Sequence, residues 1–371
     1  MTPPSKATDV FVVGGGPAGL AAAIAARRIG LHVTVADWSR PPIDKACGEG
    51  IMPDGIAAAT ALGIRLEDAG GFPFSGIRFC DGDCQAAADF PNGYGLGLRR
   101  TALHRLMAEQ AHAAGVRLLW DTRVAGLREG GVDLESGPVR ARWVVGADGG
   151  NSQVRRWARL DACLHNTRRF GFRRHYRVGA WSDSMELHWA HECQLYVTPV
   201  APEEICVALV GRDSSLRLER ALALFPALKA RLASAHATTA ERGGISASRR
   251  LKSVYRGRVA LVGDASGTVD AITGEGLCLL FEHAAALARA MAADDLAIYQ
   301  AEHRRIGRRP ALMADLLLTL GRSRGLRERV MKAMAGDASL FARMLAIHIG
   351  ERPAWDLAGV GLRIGWQFLH S

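Results

Sequence analysis

The chain has 371 residues, of which 49% are hydrophobic and 23% charged. This length and balance exclude a disordered or fibrous chain and supply apolar surface for more than one core. The formal charge is +10, but only five of the basic residues are lysines (Lys6, Lys45, Lys229, Lys252 and Lys332) and the arginines are dispersed; a nucleic-acid arm would be a clustered basic block, so no nucleic-acid partner is expected.

Met1–Thr8 has no apolar segment of signal-peptide type. No apolar run reaches the roughly 18 residues that span a bilayer. The seven cysteines (Cys47, Cys80, Cys84, Cys163, Cys193, Cys206 and Cys278) include no C-x-x-C pair. Free thiols in a cytoplasmic protein, with no metal site, are therefore expected.

Asp9–Val13 reads as a short apolar strand and runs directly into Gly14-Gly15-Gly16-Pro17-Ala18-Gly19. Leu20–Ile29 reads as an alanine-rich helix stopped by Gly30, and Leu31–Ala36 as a second, β-branched strand closed by Asp37. This is a complete βαβ dinucleotide-binding unit. Gly14 permits the tight turn, Gly16 lets backbone approach a pyrophosphate, and Gly19 lets helix and strand pack closely. Pro17 and Ala18 open the helix, whose N-terminus offers free N–H groups to phosphate. Asp37 is placed to accept hydrogen bonds from a ribose.

Ile43–Gly55 is a Gly- and Pro-rich loop, and Leu103–Ala114 is helical after Arg99-Arg100-Thr101. Short strands are predicted at Val116–Trp120, Val124–Arg128, Val132–Glu135 and Arg142–Gly146, the last ending in Ala147-Asp148-Gly149. Phe170–Val210 changes to a run of strands. Leu216–Ala235 reads as an amphipathic helix broken at Pro226. Arg258–Val262 is a strand ending in Gly263-Asp264, Gly274-Glu275-Gly276 opens a helix over Leu277–Met291, and the remainder is helical.

The predicted fold is therefore α/β: a Rossmann-type FAD-binding domain in three segments (1–72, 98–164 and 250–295), an inserted β-sheet substrate domain (73–97 and 165–249) and a helical C-terminal region (296–371). Three motifs in order, Gly14-x-Gly16-x-x-Gly19, Asp148-Gly149 and Gly263-Asp264, resemble the fingerprints of the flavoproteins that include aromatic hydroxylases, geranylgeranyl reductases and flavin-dependent halogenases. The resemblance implies noncovalent FAD, with NAD(P)H as a transient electron donor. It implies that Arg100, at the start of R-x-x-L, contacts FAD. Asp148 would serve FAD and NAD(P)H handling, Asp264 would hold the ribityl chain, and Gly274 and Gly276 would turn backbone N–H groups to the flavin. Gly263 and Val124 are grouped with these cofactor contacts.

Cys47-Gly48-Glu49-Gly50 and Gly263-Asp264-Ala265-Ser266-Gly267 resemble the geranylgeranyl-reductase branch. Val269–Gly276 resembles monooxygenases of lipid-like or polyketide aromatic substrates. The expected activity is thus hydroxylation or oxidation of a small hydrophobic, aromatic molecule with NAD(P)H and O2. Reduction of a prenyl double bond is the alternative. Halogenation ranks below both, because Trp181 and Trp189 lack the W-x-W-x-I-P pattern. A peripheral membrane contact and a carrier-protein-bound substrate are partners that the positive charge admits. Candidate catalytic residues are Cys47, His175, His188 and Tyr196, with His191 also weighed. Phe172, Tyr176, Leu187, Trp189, Leu195 and Tyr196 are candidate pocket residues, with ordinary sheet core as the competing role. The basic run His303–Arg309 reads as a solvated helix face.

Overall fold

The computed structural model describes residues 7–370, with side chains described through residue 365. Met1–Lys6, most of the expected leaderless N-terminus, lies outside the described residues. At the centre is an eight-stranded sheet in which Ala7–Val13 runs parallel to Val33–Ala36 on one side and Gly137–Gly146 on the other. Arg117–Leu119 and Val259–Leu261 extend it in parallel at either end. Successive crossovers therefore leave Ala7–Val13 in opposite directions. That switch point opens a crevice at the carboxyl ends of the strands.

Alternation along Ala7–Val13 covers both faces. Val10 and Val12 join one core cluster, and Phe11 and Val13 join another. Helix α1 (Pro17–Arg28) starts with Pro17 in its first turn, where a missing N–H costs nothing. Its alanines, Ala21 and Ala23 fully buried, let it lie close to the sheet. Helices α2 (Pro53–Ala61), α3 (Arg100–Ala113) and the short α4 (Gln153–Trp157) complete this half.

The second, nine-stranded sheet contains Cys163–Arg177, Ser184–Trp189, Cys193–Ala201, Glu204–Gly211 and Arg242–Leu251, joined at its far edge by Gly76–Asp81 and Cys84–Asp89. Arg242–Leu251 (RGGISASRRL) has no hydrophobic alternation, and the sequence does not mark it as a strand. It forms because Cys163–Arg177 offers it a long antiparallel edge. One face of this sheet is covered by α5 (Leu218–Leu222) and α6 (Pro226–Arg231), with Pro226 beginning the second helix at the predicted break. Leu195, Val197, Ile205 and Val207 point to these helices. Tyr196, Ala208 and Val210, out of phase with them, belong to the core cluster shared with the first half.

Helix α7 (Gly276–Ala292) packs on α1, and α8 (Leu296–Arg322) packs on α7. Helices α9 (Arg324–Gly336), α10 (Ala338–His348) and α11 (Leu357–His370) follow. The α/β architecture with a helical C-terminal region is thus as expected. Among the described residues no helix is long and apolar enough to cross a membrane.

Candidate functional site

A cavity of about 1640 Å³ lies between the two sheets and is closed along one side by α7 and α8. It exceeds the roughly 300–1,000 Å³ of an ordinary small-ligand pocket. At one end it is lined by Gly14, Gly16, Pro17, Ala18 and Asp37. Gly14 has φ +108°, and a Cβ there would stand 2.5 Å from the Ala147 carbonyl oxygen. Gly19 does not line the cavity: its missing Cβ would fall 1.9 Å from the Gly14 carbonyl oxygen, so it serves packing. At Gly16 the nearest atom to such a Cβ is Arg100 Nη2 at 3.9 Å, which leaves the backbone bare to the cavity.

Helix α1 has neither a side-chain cap nor an acidic residue in its first turn. Its free N–H groups therefore suit an anion. Arg100 also lines the cavity, and its Nη1 is buried without a hydrogen-bond partner. Asp37 accepts hydrogen bonds from the Gly15 N–H at 2.7 Å and the Ser39 N–H at 2.8 Å. The carboxylate so fixed still has acceptor capacity for ribose hydroxyls.

Val124, Asp148, Gly263 and Asp264 line the middle of the cavity. Lys45 Nζ donates to Asp264 at 2.5 Å. The Lys45 ammonium holds the Asp264 carboxyl below the usual carboxylate range, and Asp264 raises the Lys45 pKa in return. Asp148 accepts from Ser152 Oγ at 2.5 Å, the Gln153 N–H at 2.6 Å and the Val154 N–H at 3.1 Å, so its carboxylate caps α4. The buried Arg155 donates to the carbonyls of Gly150 at 2.8 Å and Ala265 at 3.1 Å, tying the second motif to the third. Nothing in the sequence singles out Arg155. Its role exists only because two distant loops meet.

The far end of the cavity is lined by Cys47, Gly48, Glu49, Tyr196, Gly274 and Gly276. Burial pushes the Cys47 thiol pKa up, which favours the neutral thiol over a thiolate nucleophile. Tyr196 donates its O–H to the Ile272 carbonyl at 2.7 Å, and burial raises its pKa well above the ordinary phenol value. It anchors the loop that leads to Gly274. Asp270 caps the turn Ala271–Thr273 and pairs with the buried Arg169 at 2.8 Å, pinning the same loop.

The structure places the candidate histidines outside this cavity. His175 is fully buried behind the Cys47–Gly50 segment, with Nε2 2.6 Å from Glu49 Oε2 and Nδ1 3.0 Å from Thr239 Oγ1. It holds Glu49 and is not among the residues lining the cavity. His188 lies 2.8 Å from Glu186, edge-on to Phe225. His191 is exposed on a turn. Of the candidate pocket residues, Phe172 and Tyr196 line the main cavity and Leu187 a small neighbouring one. Tyr176 and Leu195 pack under α5 and α6, and Trp189 against Phe79. His303, Arg304 and Arg308 of the basic run reach the cavity wall, His303 stacked on the buried His283 with ring centroids 4.2 Å apart.

Glu49, to which the sequence alone assigns no individual role, is held by partners on two other elements. It is 1% exposed, sits at φ +60°, and accepts from the Arg100 N–H at 2.9 Å as well as facing His175. Arg173 Nε stands 3.7 Å away. Glu49, His175 and Cys206 bring potential ligand atoms within 4.8 Å of one another. Arg173 and the Arg100 amide already compensate the carboxylate, which argues against a cation there.

A bare glycine turn, an uncapped helix start, an orphaned buried guanidinium and an acid at the strand end together form a dinucleotide cradle, and the residues present fit FAD. Residues 7–296 match the family model described as FAD binding domain, and the chain belongs to that family. It is 32% identical over 167 residues to a menaquinone reductase of Mycobacterium tuberculosis, covering 41% of each chain. It is 34% identical to a rifampicin monooxygenase of Streptomyces venezuelae, over 40% of this chain and 33% of the relative. These alignments thus span well under two thirds of the relatives' length. A digeranylgeranylglycerophospholipid reductase of Methanopyrus kandleri is 29% identical over 72% of this chain and 73% of its own. In fold, the p-nitrophenol 4-monooxygenase of Pseudomonas putida superposes with a TM-score of 0.79 at 18% identity, covering 94% of this chain and all of that one.

Proposed function

We propose that the protein is an FAD-dependent monooxygenase that uses NAD(P)H and O2 to hydroxylate or oxidise a small hydrophobic, aromatic substrate. The observation that carries this reading is a cavity larger than its dinucleotide cradle. Beyond Gly274 it continues along an apolar wall that includes Met185, Tyr196 and Leu279. Gly14, Gly16 and α1 would hold the pyrophosphate, Asp37 the adenosine ribose, and Asp264 with Lys45 the ribityl chain. Gly274 and Gly276 would face the ring system. When bound, FAD supplies the electron transfer that the side chains cannot. The protein's own residues orient the ring, exclude water and stabilise negative charge at its pyrimidine edge through the start of α7.

Reduction of a prenyl double bond is kept as a second reading, because the alignment with the relative from Methanopyrus kandleri spans 72% of this chain and 73% of that one. The two separate in one experiment. The flavin-loaded protein is reduced with NADPH without oxygen, then mixed with 18O2 and either an alkylphenol panel or a polyprenyl lipid. One 18O atom in a phenolic product supports the monooxygenase. A gain of two hydrogens in the lipid, without label, overturns it in favour of the reductase.

Asp264→Ala is expected to weaken FAD binding more than Asp37→Ala. It removes a ribityl acceptor and also strands the Lys45 ammonium, whereas Asp37 shares its load with the glycine loop. A charge-assisted hydrogen bond of about 1.5–3 kcal/mol corresponds to roughly 10- to 150-fold in affinity. Titration of the apoprotein with FAD by fluorescence quenching measures both variants, and equal wild-type affinity in both would remove this cofactor map.

A further inference from the structure

Behind the Thr273–Gly276 loop, facing away from the main cavity, is a buried cluster that the cofactor cradle does not use. Glu275 is 2% exposed. Its Oε1 lies 3.9 Å from Arg309 Nη2 on α8, and its Oε2 lies 3.9 Å from His348 Nδ1 on α10. Neither separation is a hydrogen bond. Arg309 directs Nη2 instead to Asp54 of α2, at 3.0 Å. Glu275 Oε2, His348 Nδ1 and Arg309 Nε are all buried without hydrogen-bond partners. A buried polar atom without a partner is unfavourable and rare in folded proteins, so three around one carboxyl require an explanation.

One proton resolves two of the three. If Glu275 carries it, a small closure of the gap lets its O–H donate to His348 Nδ1. The imidazole is already hydrogen-bonded to the Thr273 backbone. The chain then runs from carboxylic acid to imidazole to the loop, and the pair carries no net charge. An ionised Glu275 would set a carboxylate against the imidazole lone pair, with one guanidinium already engaged by Asp54. Every element packed on the site contributes: Asp54 from α2, Glu282 from α7, Arg309 from α8 and His348 from α10. Burial pushes Glu275 up to about 8 and His348 down to about 4, so both favour the neutral form at pH 7. His348 also lines a small apolar cavity with Tyr196, Ile272 and Thr273, next to the substrate side of the main cavity.

We propose that Glu275 and His348 share one proton, and that this neutral pair positions the Thr273–Gly276 loop and couples proton uptake to the charge of the ring system above it. The inference rests on the isoalloxazine lying over Gly274 and Gly276. Negative charge added to the ring favours protonation of Glu275: the carboxylate takes one proton from a hydronium ion, one O–H bond breaking in the hydronium as one forms on Glu275, water leaving, and no electron moving at the pair. By reciprocity, protonating Glu275 favours the reduced ring. The pair therefore acts through the loop, as positioning residues.

The test begins with infrared spectroscopy of the wild-type protein from pH 6 to 10, with and without FAD. A protonated-carboxyl band that titrates near pH 8 and is missing in Glu275→Gln is expected. His348→Phe, which removes the acceptor, should shift that titration. The midpoint potential of the bound flavin should bend at the same pH in wild type and not in Glu275→Gln. No band at pH 7, or a bend that persists in Glu275→Gln, overturns the proposal. If Glu275→Gln fails to fold, the wild-type band and its response to His348→Phe decide. A band without any bend in the potential removes the coupling, and a protein that binds no FAD removes the cofactor placement, while the apoprotein band still reports on the pair.

Folding stability supplies a further expectation. A carboxyl whose pKa rises from 4.5 to about 8 on folding contributes stability that is complete below 4.5 and is lost as pH climbs through about 8. Glu275→Gln should therefore flatten the fall in denaturation midpoint across that window.

Discussion

Gly19→Ala is expected to purify without flavin. The added Cβ would stand 1.9 Å from the Gly14 carbonyl oxygen and 3.1 Å from the Ala147 Cβ. Backbone cannot yield as a flexible side chain does, so α1 must move away from the strand Ala7–Val13. That displacement shifts the uncapped N–H groups of α1 away from the phosphate position and opens the crevice at the switch point. Overpacking of this kind costs about 1–3 kcal/mol in stability. The greater consequence is for binding, because the cradle depends on sub-ångström placement of its donors. Absorbance of the purified variant in the visible flavin bands measures it directly. A fully yellow Gly19→Ala protein would show that the glycine loop does not carry the dinucleotide.

Glu49→Ala should be among the most destabilising single substitutions in the chain. It leaves His175 and the Arg100 N–H without their acceptor, and Arg173 with only Asp44 among its nearby carboxylates. Removing one partner of a buried ion pair costs about 3–5 kcal/mol, seen as a lower denaturant midpoint at constant slope. Glu49→Gly should be milder than Glu49→Ala, since φ +60° suits glycine and relieves strain of order 1 kcal/mol. Glu49→Gln, which keeps a side-chain oxygen for the Arg100 N–H, should fall between wild type and Glu49→Ala. If Glu49→Ala unfolds at the wild-type midpoint, the network is not holding the Cys47–Gly50 segment. His175→Ala should cost less than Glu49→Ala, because it removes one of several contacts to the carboxylate.

These two residues differ in how they could be read. Gly19 lies in a local pattern, strand, glycine turn and helix, whose physics is complete within about 30 residues. Glu49 belongs to the Cys47-Gly48-Glu49-Gly50 motif, yet its partners, Arg100, Arg173 and His175, lie on α3 and on a strand of the other sheet. The candidate histidines show the same limit. His175 and Tyr196 even project from the same face of the second sheet, since their cross-strand partners Cys206 and Ala208 lie two residues apart on one strand. What separates them is the Cys47–Gly50 segment, which covers His175 and leaves Tyr196 on the cavity, and that covering depends on a loop more than a hundred residues away in the chain. Arg242–Leu251 shows the converse: its composition conceals a strand that a partner edge imposes.

By itself, the amino-acid sequence determined what depends on neighbours in the chain. This covers the βαβ unit with its glycine turn and terminal acid, the three ordered motifs, the break at Pro226 and the helical tail. These follow from backbone freedom, hydrophobic period and helix-end chemistry, which act over a few residues. Only the tertiary structure decided which side chains converge. It turned Asp148 into a helix cap, joined Arg155 to Ala265, set Lys45 on Asp264, and brought His348 of α10 beside Glu275 at the start of α7. The reason is physical: burial and the pairing of charges depend on separation in space, and no pattern along the chain encodes that separation.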